Sequence, residues 1–203
     1  MIFWDFDGVI KDSVEAKSEG FERLFQPYGT DLANRVRQHH EAHGGMSRFE
    51  KIPVYLGWAG EPATRAQVQE FCERFSEMVL QAVIDSPWVP GVREYLQAQH
   101  SQQRFVLLSA TPQEEIHGIL RTLDIARCFD RIIGAPAKKA TAMAEALQCL
   151  PCAPENALMI GDSESDLAAA QMNGVAFLLR STSINQALQA RYTGPAFRDL
   201  ADD

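Results

Sequence analysis

The sequence predicts an α/β protein: a doubly wound parallel sheet whose first strand is separated from the others by an all-helical insert. Three observations carry this. Five short apolar runs recur without polar alternation, helix-start and helix-stop signals lie between them, and residues 13–86 show helical periodicity with no strand. Continuous apolar character suits strands covered on both faces, as in a parallel sheet between helical layers. Strand alternating with helix then gives the doubly wound arrangement.

The first run, IFW at 2–4, leads straight into Asp5, Phe6, Asp7 and Gly8. VIKDS at 9–13 is the expected departure into the insert. Within the insert, Phe21, Leu24 and Phe25 form one apolar stripe. A second runs through Val68, Phe71, Phe75, Met78, Val79 and Ala82, opened by the capping box TRAQ at 64–67. DSPWVPG at 85–91, rich in Pro and Gly, marks the return. The expected division is therefore a core of residues 1–12 and 87–203 around a helical insert, 13–86. The second strand is FVLL at 105–108. TPQE follows, with Thr111 expected as N-cap, Pro112 at the first helical position and Glu114 closing a capping box. Ile116, Ile119, Leu120 and Leu123 are that helix's stripe. RII at 131–133, ALMI at 157–160 and VAFLL at 175–179 complete the strands, while SESD at 163–166 opens a helix that Asn173 and Gly174 end.

Composition narrows the function classes. A chain of 203 residues can bury a sizeable core, and 46% hydrophobic with 23% charged residues is ordinary for a soluble globular protein. A net charge of -8 argues against non-specific nucleic-acid binding and against docking on an anionic membrane. No apolar run approaches spanning length and no leader pattern is visible, so the expected location is the cytoplasm. Cys72 and Cys128 read as small core residues. Cys149 and Cys152 have the spacing of half a zinc site, but no second Cys or His pair completes it. His39 and His43 share a helix face and read as exposed polar surface.

The chemistry lies at the ends of the apolar runs. The first ends in Asp5, with Asp7 beyond; the second in Ser109; GAPAKK after the third offers Lys138 and Lys139; GDSESD after the fourth holds Asp162 and Asp166. Open α/β sheets bind ligands outside the carboxyl ends of their strands, so these groups are expected to converge on one crevice. Each has an ordinary structural explanation alone: Asp166 as a helix-start acid, Ser109 as a turn residue, the lysines as a solvated helix start. Four strand ends in the right order are harder to explain that way. An acid at the close of a buried strand needs a partner or a cation, because burying it unpaired costs several kcal/mol.

This arrangement resembles the haloacid dehalogenase-like hydrolase superfamily. DFDGV matches its first motif, LLSAT its second, a lysine after GAP its third and GDSESD its fourth, with Val9 where many members carry Thr. The resemblance covers essentially the whole chain. It implies a Rossmann-like core with a helical cap and a phosphatase working through an aspartyl-phosphate. Asp5 would be the nucleophile and Asp7 the proton donor, then acceptor. Mg²⁺ would be held by Asp5, the main-chain carbonyl of Asp7 and Asp162. Ser109, Ala110 and Lys139 would bind phosphoryl oxygens, with Asp166 orienting the metal shell or the lysine. The family's G-x-P-x-x-K spacing favours Lys139 over Lys138. HGGMSRFEK at 43–51 is similar to the specificity loop of β-phosphoglucomutase-like caps, which makes Arg48 and Lys51 candidates for a second anionic group on the substrate.

The expected reaction is Mg²⁺-dependent hydrolysis of a small phosphorylated metabolite, a sugar or sugar-acid phosphate. A phosphomutase is the alternative within the superfamily. A phospho-accepting receiver module is the rival from another class, but it would place its acceptor Asp on the third strand and carry no such helical insert.

Overall fold

The structure, a computed structural model, describes residues 1–201. β1 (Ile2–Trp4) is followed by α1 (Val14–Phe25), α2 (Thr30–Ala42), α3 (Arg48–Trp58) and α4 (Arg65–Asp85). The chain continues through α5 (Val92–Gln99), β2 (Phe105–Pro112), α6 (Gln113–Thr122), β3 (Arg131–Ala135), α7 (Lys139–Cys149) and β4 (Leu158–Gly161). It closes with α8 (Glu164–Met172), β5 (Ala176–Arg180), α9 (Gln186–Arg191) and β6 (Ala196–Phe197). All strand pairs are parallel, in the order β3-β2-β1-β4-β5-β6. All five apolar runs are strands, and the short β6 is an edge the sequence pattern did not announce. β1 lies between β2 and β4, so Asp5 and Asp162, just past the ends of β1 and β4, sit beside Ser109, which lies within β2 two residues beyond its last pairing with β1.

Apolar residues fill both faces of the sheet. One cluster joins Trp4, Phe105, Leu107 and the α6 stripe to the interior of α1–α4; the other packs Phe3, Val106 and Met159 against Met143, Ala146, Ala169 and Ala170. Leu123, at the end of the α6 stripe, is half-buried. On α4, Phe71, Phe75 and Val79 are buried, whereas Ala82 is exposed and Val83 takes the inward position. An i, i+4 row from Phe71 leads to Val83, one residue beyond the expected end of the stripe. Cys72 and Cys128 are buried free thiols; Cys149 and Cys152 are free and nearer the surface.

Two helix starts differ from expectation. Thr111 does not cap α6 and Glu114 closes no box there: β2 runs on through Pro112, whose ψ of 144° keeps the chain extended until Gln113. The Thr111 hydroxyl is committed to the site described below. Gln113 anchors the helix start instead, accepting from the Gly134 N–H at 2.6 Å and donating to the Ile132 carbonyl at 2.9 Å. Thr64 does cap α4, accepting from the Gln67 N–H at 3.3 Å, but Gln67 Oε1 accepts from the Thr64 hydroxyl at 3.4 Å rather than from its N–H and Nε2 donates to Glu61, so only half of the box forms. At α8 the box is complete, through Ser163 and Asp166, and Gly174 with φ +65° ends the turn after it.

The two crossings between sheet and helical insert run together. Val89 N–H donates to the Ile10 carbonyl at 3.0 Å, Asp12 N–H to Pro87 at 2.9 Å, and Lys11 Nζ to Ile84 at 2.9 Å. Val9 and Ile10 are fully buried. What read as a linker is thus a paired, packed neck. Among α1–α4 the tightest approach is at Gly20, where a Cβ would overlap Val79 Cγ1 on α4. Gly to Ala in an open helix stabilises by about 1 kcal/mol. Gly20→Ala is expected to destabilise instead, by about 1–3 kcal/mol from overpacking, read as a lower urea midpoint at unchanged slope. Adding Val79→Ala to that variant should recover part of the loss.

Candidate active site

The site is assembled at the end of β1. Asp5 N–H donates to the Ile160 carbonyl at 3.0 Å, extending the β1–β4 ladder by one residue and placing Asp5 next to the end of β4. Its Oδ1 accepts from the Phe6 N–H at 2.8 Å. The chain then turns sharply through Gly8, φ +76°, where a Cβ would overlap the carboxylate of Asp162. Only a residue without a side chain lets this loop settle on β4. Asp162 is steadied from the other side: Asn185 Nδ2 donates to its main-chain carbonyl at 2.7 Å and to that of Arg180 at 2.8 Å.

Lys139 opens α7 and reaches back under the loop. Its Nζ lies 2.9 Å from Asp5 Oδ1 and 2.6 Å from Asp166 Oδ1. The other oxygen of Asp166 accepts from the Ser163 N–H at 3.1 Å and from its hydroxyl at 2.6 Å. The helix-start role and the site role of Asp166 therefore coexist on its two oxygens. Lys138 points elsewhere, pairing with Glu50 on α3.

Electrostatics show an acid cluster that is under-compensated. Burial, then Asp166, push the Asp5 carboxyl up to about 7, with Lys139 offsetting part of the effect. Burial, then Asp5 and Asp166, raise Asp162 well above its ordinary value. Burial alone would lower Lys139, but Asp166 and Asp5 outweigh it and hold the ammonium protonated. One lysine thus serves three acids. Among the described residues no donor reaches the Asp162 carboxylate, and ligand oxygens of Asp5, Asp162 and Asp166 lie within 4.8 Å of one another. An all-oxygen set with one orphan carboxylate suits a hard divalent cation such as Mg²⁺.

Asp7 is treated differently. Burial would raise it, yet Lys17 and Ser13 overturn that and hold it below the usual carboxylate range. Ser13 Oγ donates to Asp7 Oδ1 at 2.6 Å, and Lys17 pairs with Oδ2. Lys17 Nζ also donates to Thr111 Oγ1 at 2.8 Å, tying α1 to the end of β2. Neither Ser13 nor Lys17 was singled out from sequence. The available signal was Lys17's place on the α1 stripe: it precedes Phe21 and Leu24 by four and seven residues, so a lysine was due to face inward.

A cavity of about 140 Å³ lies between these acids and the helical insert, with Asp5, Asp7, Lys17, Thr111, Lys139 and Asp162 in its wall. Ala110 also lines it, whereas the Ser109 hydroxyl accepts from the Thr111 N–H at 3.1 Å and faces the adjoining cleft. Arg48 reaches the cavity wall but is occupied: Nη1 and Nη2 meet the two oxygens of Glu115 on α6 at 2.8 and 2.6 Å. Lys51 lies behind the wall, 2.8 Å from His40 Nδ1, and burial with Lys17 nearby lowers its pKa to about 7. His40, buried, lines the cavity, while His39 is half-buried against Tyr55 at 3.1 Å and only His43 is exposed. The expectation of a uniformly exposed histidine face is corrected, because α2 packs its inner side on Phe21 and Tyr55.

No helix in the described residues is long and apolar enough to cross a membrane. Residues 2–179 match the family described as haloacid dehalogenase-like hydrolase. A phosphorylated carbohydrates phosphatase from Thermotoga maritima is 28% identical over 185 residues, covering 86% of this chain and 81% of that one. A phosphoglycolate phosphatase from Nitrosococcus oceani is 26% identical, covering 96% and 89%. The crystal structure of a β-phosphoglucomutase from Clostridium difficile superposes with a TM-score of 0.76 at 18% identity, over 98% of this chain and 90% of that one. With strand-end acids and lysine arranged as above, the chain belongs to the haloacid dehalogenase-like hydrolases and is a phosphoric monoester hydrolase.

Proposed function

We propose that this protein is a Mg²⁺-dependent phosphatase that hydrolyses a small phosphorylated metabolite, a sugar or sugar-acid phosphate, through an aspartyl-phosphate on Asp5. The observation that carries it is the meeting of Asp5, Asp162, Asp166 and Lys139 at adjacent strand ends, with one acid lacking any donor among the described residues. The curated relatives named above are phosphatases, which supports transfer to water over return to a sugar. We place the protein in the cytoplasm, consistent with its four free cysteines.

In this reading the Asp5 carboxylate attacks phosphorus and the leaving oxygen departs on the opposite side. Asp7 sits two residues on, held ionised by Ser13 and Lys17; released from Lys17 and protonated as the substrate enters, it would give that proton to the leaving oxygen and then, again a carboxylate, take one from the attacking water. Lys139 and the chain at Ser109 and Ala110 hold the phosphoryl oxygens, and Asp166 aims Lys139 through a 2.6 Å contact. Bound by Asp5, Asp162 and the Asp7 main-chain carbonyl, Mg²⁺ would supply the positive charge the acids lack and offset that of the substrate. The insert at 13–86 is the cap: α1–α4 cover the cavity and exclude water other than the nucleophile.

Asp5→Asn is expected to lower turnover of an aryl phosphate by about a thousandfold or more while leaving the far-ultraviolet circular dichroism unchanged. Undiminished hydrolysis would remove Asp5 from the mechanism. Metal binding has its own signature. Between the ordinary value of 3.8 and about 7, the unfolded chain has Asp5 ionised while the folded protein keeps its proton, so this group's contribution to stability falls as pH rises through that window. A cation favours the ionised form and reverses that loss. The rise in melting temperature on adding Mg²⁺ is therefore expected to be small near about pH 5 and large near about pH 8. Asp162→Asn should remove most of it; an equal rise at both pH values, or one that survives the substitution, would contradict this site.

A further inference from the structure

The cavity wall carries three cations and five acids, and each cation already has an acidic partner within the protein. Lys139 serves Asp5 and Asp166, Lys17 serves Asp7, and Arg48 serves Glu115. The last pair is the informative one, because Arg48 is supplied to the cavity wall by α3 of the insert and its partner is none of the acids in that wall. Its fork is bidentate on Glu115, Ser76 Oγ donates to the same carboxylate at 2.6 Å, and the guanidinium lies 4.6 Å over the Phe75 ring. Both partners are nearly buried, with side chains 3% and 11% exposed, so neither is free to swing into solvent. Around them the wall is apolar: Phe21, Met46 and Phe75. Lys51, the next cation, is turned to His40 rather than to the cavity.

A second anion on the substrate would enter this region with no unpaired cation to receive it. It would have to take Arg48 from Glu115 and leave that carboxylate buried and unpaired, which is costly. We propose that Glu115 is a specificity residue: by occupying Arg48 it fits the site to phosphate monoesters whose other end is uncharged, and sets it against those carrying a carboxylate or a second phosphate. This rests on the phosphatase reading above and narrows its substrate class to neutral sugar-like esters.

The test compares nearly isosteric pairs with Mg²⁺ present: 2-hydroxyethyl phosphate against phosphoglycolate, and a hexose monophosphate against the hexose bisphosphate. A ratio of kcat/KM values from one preparation is independent of the fraction correctly folded, so a poorly folding variant still reports. The neutral member of each pair should be favoured by about tenfold or more. Glu115→Gln, which frees Arg48, should shrink that ratio by about tenfold, and Arg48→Gln, which removes the cation from the cavity wall and leaves the Glu115 charge uncompensated behind it, should widen it. A wild-type preference for the doubly anionic members, or a ratio that neither substitution moves, would overturn the proposal. Absence of turnover on every ester, an aryl phosphate included, would instead overturn the phosphatase reading itself, and this inference with it.

Discussion

The structure is organised around a shortage of positive charge. Three carboxylates from two strand ends and a helix start meet, Asp5 and Asp166 buried and Asp162 half-buried, and Lys139 is the one ammonium among the described residues placed between them. Such a cluster is unfavourable in a folded protein unless something joins it. Asp166 is satisfied by Lys139 and by the cap it makes on α8; Asp5 is half satisfied; Asp162 is not satisfied by any donor among the described residues. In the function proposed above, the same imbalance would favour a divalent cation among these acids and, with it, a phosphoryl group.

Much of the surrounding fold serves to hold that arrangement. The parallel register of β1 against β4 sets Asp5 beside Asp162, and Gly8 lets the following loop close onto them. From the opposite side α1 contributes Ser13 and Lys17, which fix Asp7, and Lys17 continues to Thr111 at the end of β2. A residue of the helical insert thereby contacts two segments of the sheet at the site. Arg48–Glu115 and Glu50–Lys138 add two further ties between insert and core. With both chain crossings paired through Ile10, Asp12 and their partners, the insert is seated on the site in a closed arrangement. Opening it would break the buried pairs Arg48–Glu115 and Lys17–Asp7.

The strands and the principal acids were legible in the sequence because their signals are local. An apolar run followed at once by an acid says both where a strand ends and what stands there. Asp166 was legible twice over, as a helix-start acid and as a site acid, and its two oxygens do both jobs. What escaped was long-range. Thr111 read as an N-cap from its neighbours, but its hydroxyl is claimed by Lys17 and Asp7 from far along the chain. Arg48 read as a free anion receptor, since nothing local reveals that Glu115, 67 residues on, takes its whole fork. Asn185 carries no motif at all, yet it ties the chain at Asp162 to the end of β5. Pairings made by tertiary packing leave no spacing to read.

The central claim is that the acids at the ends of β1 and β4 form a cation site. Its most direct test is the anomalous scattering from a crystal of the wild-type protein soaked in Mn²⁺, which shares the oxygen preference of Mg²⁺. The account predicts a single strong peak among the carboxylates of Asp5 and Asp162. A map with no peak there at saturating metal, or with Asp162 bonded to a protein donor in its place, would contradict it.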